Sequence, residues 1–251
     1  MLTTALRTVA LLSLAAAPVA APVAAPVAAP VAASVAASVA APLAAAPAAA
    51  PIRVAPPAAT ALRAVAAVRL DTVVVAGGCF WGVQAVFQHV KGVVAATSGY
   101  SGGTVAGPGY DQVSTGTTGH AEAVRVVFDP AQVSYETLLD VFFSVAHDPT
   151  ELNRQGPDVG TQYRSAIFFT NPAQHQATAK YVSALDKSGR YKRPIVTQIA
   201  ALKGFYVAEA HHQDYATLHP DAPYIVYNDA PKIADLHRRY PALWTDRIAA
   251  H

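Results

Sequence analysis

The chain is 251 residues long, 53% of them hydrophobic types and 14% charged, with a formal net charge of +2. So small a charge leaves no global field for gripping nucleic acid. A single cysteine, Cys79, excludes an internal disulfide and a multi-cysteine metal cage, so the fold rests on packing and the thiol is free or pairs with another molecule.

Composition divides the chain near residue 70. Residues 1–69 are mostly Ala, Val and Pro and contain no aromatic and no acidic residue. Arg7 followed by the apolar run Thr8–Ala17 and small residues has the shape of an export signal, too short to span a membrane before Pro18. Residues 1–34 are therefore expected to hold a signal peptide and the start of the Ala/Pro/Val repeat. Residues 35–69 are expected to form a disordered, partly extended linker, because Ala and Pro bury too little area to offset chain entropy. Export places the protein in the periplasm or outside the cell, with an envelope-tethered stalk as one arrangement. The remaining segment, 70–251, holds roughly 180 residues, enough for one substantial core.

Asp71–Ala76 reads as a buried strand, Gly77-Gly78 as a turn and Cys79–His89 as a helix. Cys79 thus stands where the first helical N–H groups lack partners. That end of the dipole favours an anion, so an exposed thiol of low pKa is expected. The plain alternative is a buried structural cysteine, which packs as a small hydrophobe. Val93–Thr97 reads as a strand, and Gly99–Gly109, with five glycines, as a loop. Ala121–Phe128 alternates like a strand and stops at Asp129-Pro130, and Ser134 opens a helix through Val145. His147–Thr161 reads as a loop, Arg164–Thr170 as a strand, and Asn171-Pro172 as the cap of a helix reaching Lys187. Ile195–Leu202 follows as a strand and Ala208–Tyr215 as a short helix. Beyond His219-Pro220 there is little periodicity, so this part is expected to wrap the surface. Such alternation indicates a mixed sheet layered with helices.

Five blocks carry a resemblance. They are Gly78-Cys79-Phe80-Trp81-Gly82, Ser98–Gly103, Tyr110-Asp111-Gln112-Val113, Thr118-Gly119-His120-Ala121-Glu122 and Gly160–Ser165. In this order and spacing they resemble peptide methionine-S-sulfoxide reductase of the A type, over about Val73 to Pro231. The resemblance implies an α+β two-layer sandwich around a ferredoxin-like βαβ core with long coiled termini. It implies Cys79 as nucleophile, Glu122 as acid, Tyr110 and Tyr163 as phenols holding the sulfoxide oxygen, and Asp158 as a carboxylate of the same pocket. Phe80 and Trp81 would receive the substrate methyl group.

The chemistry requires such residues. A sulfoxide sulfur is electrophilic, but oxide leaves poorly, so the oxygen must be protonated as the thiolate attacks. The acid must stay protonated near neutral pH, which burial of a carboxyl achieves. Phenol O–H groups can donate to the developing negative oxygen. The products are methionine and a Cys79 sulfenic acid.

No bound cofactor is expected. His211, His212, His219 and His237 suggest no metal site, since no carboxylate spacing or second cysteine supports one. Related enzymes often carry further cysteines in the tail, but Tyr224–Lys232 has none, and Ser114 stands where some members have another. The one-cysteine subtype is implied, with an external reductant: a thioredoxin-like or glutaredoxin-like protein or a small thiol. The other partners would be proteins containing oxidised methionine, and the chain is expected to be monomeric. Two other classes remain open: a cysteine acyltransferase or hydrolase with His120 or His147 as base, and a tethered interaction module in which Cys79 is dispensable.

Overall fold

The computed structural model describes residues 69–251, so the signal and linker expectations lie outside the described residues. The first half runs β1 (Asp71–Gly77), α1 (Phe80–Gln88), β2 (Val93–Ser101), α2 (Tyr110–Ser114), β3 (Ala121–Phe128) and α3 (Tyr135–Val141). A small hairpin follows, β4 (Arg154–Gln155) with β5 (Asp158–Val159), then β6 (Ser165–Phe169) and α4 (Pro172–Lys187). The chain ends with β7 (Gln198–Ala201), β8 (Phe205–Val207), α5 (Tyr215–Leu218) and α6 (Ala230–Arg239).

The six-stranded sheet has the order β7-β6-β1-β3-β2-β8. Its middle, β6-β1-β3-β2, with α1 and α3 in the two crossovers, is the ferredoxin-like βαββαβ arrangement. β7 extends it in parallel beside β6, and β8 antiparallel beside β2. The fold is therefore α+β, with helices layered on a sheet.

Strand alternation sorts the core. Val73 and Val75 of β1, Val124, Val126 and Phe128 of β3 and Ile167 of β6 join one cluster with Val83, Val86 and Phe87 of α1 and Leu138 and Leu139 of α3. Their neighbours Val74, Ala76, Ala121, Ala123, Ala166 and Phe168 form a smaller cluster under Leu202 and Phe205. Each fully buried Val, Leu or Phe contributes about 1.5–3 kcal/mol, so the helix-facing cluster dominates stability.

Antiparallel pairing decides where the loops meet. β3 and β6 both run antiparallel to β1, with Val75 opposite Val124 and Gly77 opposite Ser165. β2 is antiparallel to β3, with Tyr100 opposite Glu122. The ends of β1 and β2 and the starts of β3 and β6 thus lie at one end of the sheet. Four of the five sequence blocks straddle those strand ends, and Tyr110 opens α2 just beyond β2.

Several elements differ from the sequence expectation. β2 continues through Gly99–Ser101, because β8 pairs with that stretch. A Cβ at Gly99 would collide with the Tyr206 carbonyl oxygen, so the glycine is a close-approach residue rather than a loop signal. The α3 helix ends at Val141 and passes into a π-helical turn, Phe142–Ala146. The helix expected over Ala208–Tyr215 is split into a 3-10 turn, Ala210–His212, and α5, because Asp214 between them takes a left-handed backbone conformation (φ 55°). The tail is more regular than its prolines suggested. A π turn, Ile225–Asp229, runs into α6, with Pro231 in the first helical turn, where a missing N–H costs nothing. Leu236 of α6 is fully buried, and the final residues return to β2 through Ala96 N–H donating to the Ala250 oxygen at 2.8 Å.

Candidate active site

Cys79 caps α1 at the end of β1. Glu122 is the second residue of β3, and its even-numbered position shares the helix-facing side with Val124 and Val126. The carboxyl therefore points at the N-terminus of α1, where Oε2 accepts the Phe80 N–H at 3.0 Å. Glu122 is 3% exposed. Burial pushes its pKa up to about 8, against the lowering effect of the Phe80 amide, and the carboxylates of Asp158 and Asp229 add to the rise. At neutral pH it is mainly a carboxylic acid.

A cavity of about 210 Å³ brings together Cys79, Phe80, Trp81, Tyr110, Glu122, Asp158, Tyr163 and Tyr224. All seven residues singled out in the sequence line it. Tyr110 and Tyr163 arrive from the segments after β2 and before β6. Burial is the main cause that raises both phenol pKa values, so each keeps its proton for donation. The Trp81 indole stacks on Tyr215, with centroids 3.8 Å apart and planes 13° apart, and meets Tyr224 edge-on at 5.7 Å.

The exposed, low-pKa thiol expected at Cys79 is not what the structure shows. Cys79 is 7% exposed, and its pKa is raised well above the usual thiol value. Desolvation is the chief cause, followed by repulsion from Glu122 and Asp229 in their ionised forms. The Trp81 amide and Lys232 pull the other way without reversing it. The helix N-terminus is where the sequence placed it, but low-dielectric surroundings outweigh its field. The sulfur still borders the cavity, so it is reachable without being ionised at rest.

A second layer fixes the walls. Trp81 Nε1–H donates to His212 Nδ1 at 3.3 Å, and the Tyr110 ring lies 4.5 Å from the His212 ring. Burial keeps His212 neutral by lowering its pKa, with His211 adding to the effect. Glu209 accepts the Tyr110 N–H and the Tyr100 O–H, both at 2.8 Å. The Gln213 amide pairs with the backbone of Ser98 at both its N–H and its oxygen, each at 3.0 Å, and receives Gln84 at 3.0 Å. Through these contacts the segment around His212 and Gln213 supports the pocket.

Tyr224 is the pocket residue that sequence reasoning missed. Its hydroxyl donates to Asp158 Oδ2. It sits on the tail among apolar and polar residues without a motif to mark it.

Neither histidine offered as a base for acyl transfer reaches the cavity. His120 binds the Val105 oxygen at 2.8 Å, and His147 binds the Phe142 oxygen at 2.9 Å and Ser165 Oγ at 2.7 Å. Burial lowers the His147 pKa to about 4, so it is a neutral core residue.

The site is thus a lone thiol, a protonated carboxyl and two phenol O–H groups around an aromatic cavity, which suits reduction of a polar S=O group on an apolar chain. A family profile described as peptide methionine sulfoxide reductase matches residues 71–243. The chain is 56% identical over 177 residues to "Peptide methionine sulfoxide reductase MsrA 2" of Mesorhizobium japonicum, covering 70% of this chain and 91% of that one. It is 49% identical over 170 residues to the MsrA of Deinococcus radiodurans, covering 68% of this chain and 82% of that one. Among solved structures, reduced Mxr1 of Saccharomyces cerevisiae aligns with a TM-score of 0.57 at 32% identity, covering 61% of this chain and 88% of that one. Methionine sulfoxide reductase A of Corynebacterium diphtheriae aligns at 0.54 with 37% identity, covering 62% and 78%. Site and similarity agree, and the chain belongs to the peptide methionine sulfoxide reductase family.

Proposed function

We propose that Cys79 and Glu122 reduce methionine-S-sulfoxide in proteins as a neutral pair. The sulfoxide enters the aromatic cavity with its methyl group against Phe80 and Trp81 and its oxygen toward Glu122, Tyr110 and Tyr163. Glu122 gives its proton to the oxygen while Cys79 Sγ attacks the substrate sulfur. The thiol proton passes to Glu122, restoring its neutral form. The hydroxyl then passes from the substrate sulfur to Cys79 Sγ as the S–S bond formed in the attack breaks, so the substrate sulfur gains two electrons and leaves as the thioether, and Cys79 loses two and ends as a sulfenic acid. Concerted transfer accounts for a thiol that burial keeps protonated at rest. The observation that carries this reading is a carboxyl of pKa about 8 sharing one cavity with the lone thiol.

With one cysteine in the chain, the sulfenic acid has no internal partner, so an external thiol reduces it. A thioredoxin-like or glutaredoxin-like protein or a small thiol fits this role. The Arg7-led apolar run supports export, so that reductant would act outside the cytoplasm. Sequencing the mature N-terminus from fractionated cells tests this; an intact Met1 in the cytosol would reverse it.

Treating the reduced enzyme with methionine-S-sulfoxide in the absence of any added thiol tests the chemistry. Stoichiometric methionine and one added oxygen on Cys79 are expected, with the R epimer inert. Turnover with unmodified Cys79 would overturn the proposal.

A further inference from the structure

Cys79 borders two cavities. Besides the aromatic one, a notch of about 80 Å³ is lined by Cys79, Asp158 and Tyr224 together with Gln155, Gly156, Pro157, Asn228 and Lys232. Cys79, Asp158 and Tyr224 are common to both. The hydrogen-bonded Asp158–Tyr224 pair therefore forms a wall between them, with the sulfur at its edge. No step of sulfoxide reduction uses the notch.

Displacement at sulfur has a direction. An incoming thiolate attacks roughly in line with the bond that breaks. The proposed reaction leaves the sulfenic oxygen toward the aromatic cavity, where Glu122, Tyr110 and Tyr163 surround it. The attacking sulfur must come from another side, and the notch is the second cavity that Cys79 borders, bounded by the same Asp158 and Tyr224. Its volume is that of roughly two or three waters, which suits a CH₂–SH group and not a branched thiol. Gly156 and Pro157 form one lip, and Asn228, whose side chain donates to the Tyr224 oxygen at 3.0 Å, forms another. Lys232 stands at the mouth, paired with buried Asp229 at 3.1 Å. Its further N–H donors are available to an approaching thiolate.

We propose that this notch is the entry site for the reducing thiol, separate from the sulfoxide cavity, and that it selects primary over branched thiols. This rests on the sulfenic acid reading above. A thiolate RS⁻ forms an S–S bond to Cys79 as the S–O bond breaks, and the hydroxide leaves as water with a proton from Glu122. A second thiol then attacks the mixed disulfide, giving RSSR and Cys79 thiol. The two electrons come from the two thiols.

The test uses the full chain carrying preformed Cys79 sulfenic acid. With Asn228→Trp, which narrows the notch, decay of the sulfenic acid in 2-mercaptoethanol falls at least tenfold more than the rate of the initial methionine burst. With Asn228→Ala it stays at the unsubstituted rate or rises. Equal slowing of both steps, slowing in both variants, or no change in N228W would overturn the proposal. A second measurement does not need N228W to fold. The rate ratio between 2-mercaptoethanol and penicillamine, whose thiol sits on a doubly methylated carbon, should shrink at least threefold in N228A. An unchanged ratio overturns the inference. Reduced thioredoxin as a third reductant separates sources: slowing by N228W there too places a protein cysteine in the same notch, and slowing of 2-mercaptoethanol alone confines the notch to small thiols. Absence of any methionine burst in the unsubstituted protein would instead defeat the sulfenic acid reading.

Discussion

The two sides of the active site are built by different means. One side is the end of the sheet, where Cys79, Glu122 and Tyr163 are positioned by strand register and by the start of α1. The other side is the returning tail from Glu209 to Lys232, which reaches the pocket through 3-10, π and short α turns. In the proposed reaction the sheet side carries the groups that change bonds and protons. The tail side carries groups that hold or tune them: His212 under Trp81, Glu209 behind Tyr110, Gln213 on the Ser98 backbone and Tyr224 on Asp158. Regular strands place atoms reproducibly, which chemistry demands, while a wrapped tail can adjust burial and charge without disturbing the core.

The sharpest challenge to this division is removal of the nucleophile. Cys79→Ala is expected to lower turnover by on the order of 10⁴-fold or more without unfolding the protein, measured as methionine released from the S-sulfoxide. Residual turnover near the parent rate would mean that the sheet side does not carry the chemistry.

Glu122→Gln keeps the acceptor for the Phe80 amide but cannot transfer a proton. Turnover should fall by about 10²–10⁴-fold. In the parent enzyme, turnover should hold below pH 8 and fall about tenfold per unit above it as Glu122 ionises. Stability gives an independent check. The folded pKa of about 8 lies above the unfolded value of 4.5, so the folded state retains a proton that the unfolded state has lost. This group therefore costs stability progressively as pH rises from 4.5 toward 8, reaching on the order of a few kcal/mol. Glu122→Gln should accordingly be more stable than the parent at pH 9, and much less so at pH 4, in urea unfolding followed by circular dichroism.

Tyr110→Phe and Tyr163→Phe compare the two sides directly, since Tyr110 leans on the tail and Tyr163 precedes β6. Each is expected to lower kcat by roughly 10²-fold, the usual loss for one oxyanion donor. Their combined effect should fall short of the product, because both serve one oxygen.

The smallest effect belongs to the tail. Gln213→Ala leaves the buried Ser98 N–H unpaired, while the Ser98 oxygen keeps the Ala208 N–H, and should cost about 1–3 kcal/mol of stability in a denaturant titration. The rate should change less than tenfold. A rate loss matching that of Glu122→Gln would erase the distinction between the two sides.

How much of this was legible depended on locality. The strand-turn-helix around Cys79, the alternation through Ala121–Phe128 and the Asn171-Pro172 cap are short-range patterns, and each element formed where its pattern lay. Gly99–Ser101 was misread because a glycine serving the close approach of β8 looks, in sequence, like a glycine in a loop. The α6 helix was overlooked because Pro231 in its first turn reads as a breaker unless the cap position is known. Tyr224 carried no spacing that tied it to Asp158, 66 residues away.

By itself the sequence determined which thiol the proposed reaction must use, since only one cysteine exists, and the side of β3 that Glu122 faces, since strand alternation has a period of two. Under the proposed reaction, the lone cysteine also calls for an outside thiol to finish the cycle. Tertiary structure alone decided that four loops meet at one sheet end, because antiparallel register is set by partners far along the chain. It alone decided the protonation of the site as well. A helix N-terminus predicts an ionised thiol, but the dielectric around Cys79 is made by Phe80, Tyr224 and the buried carboxyls, and no local pattern encodes their sum.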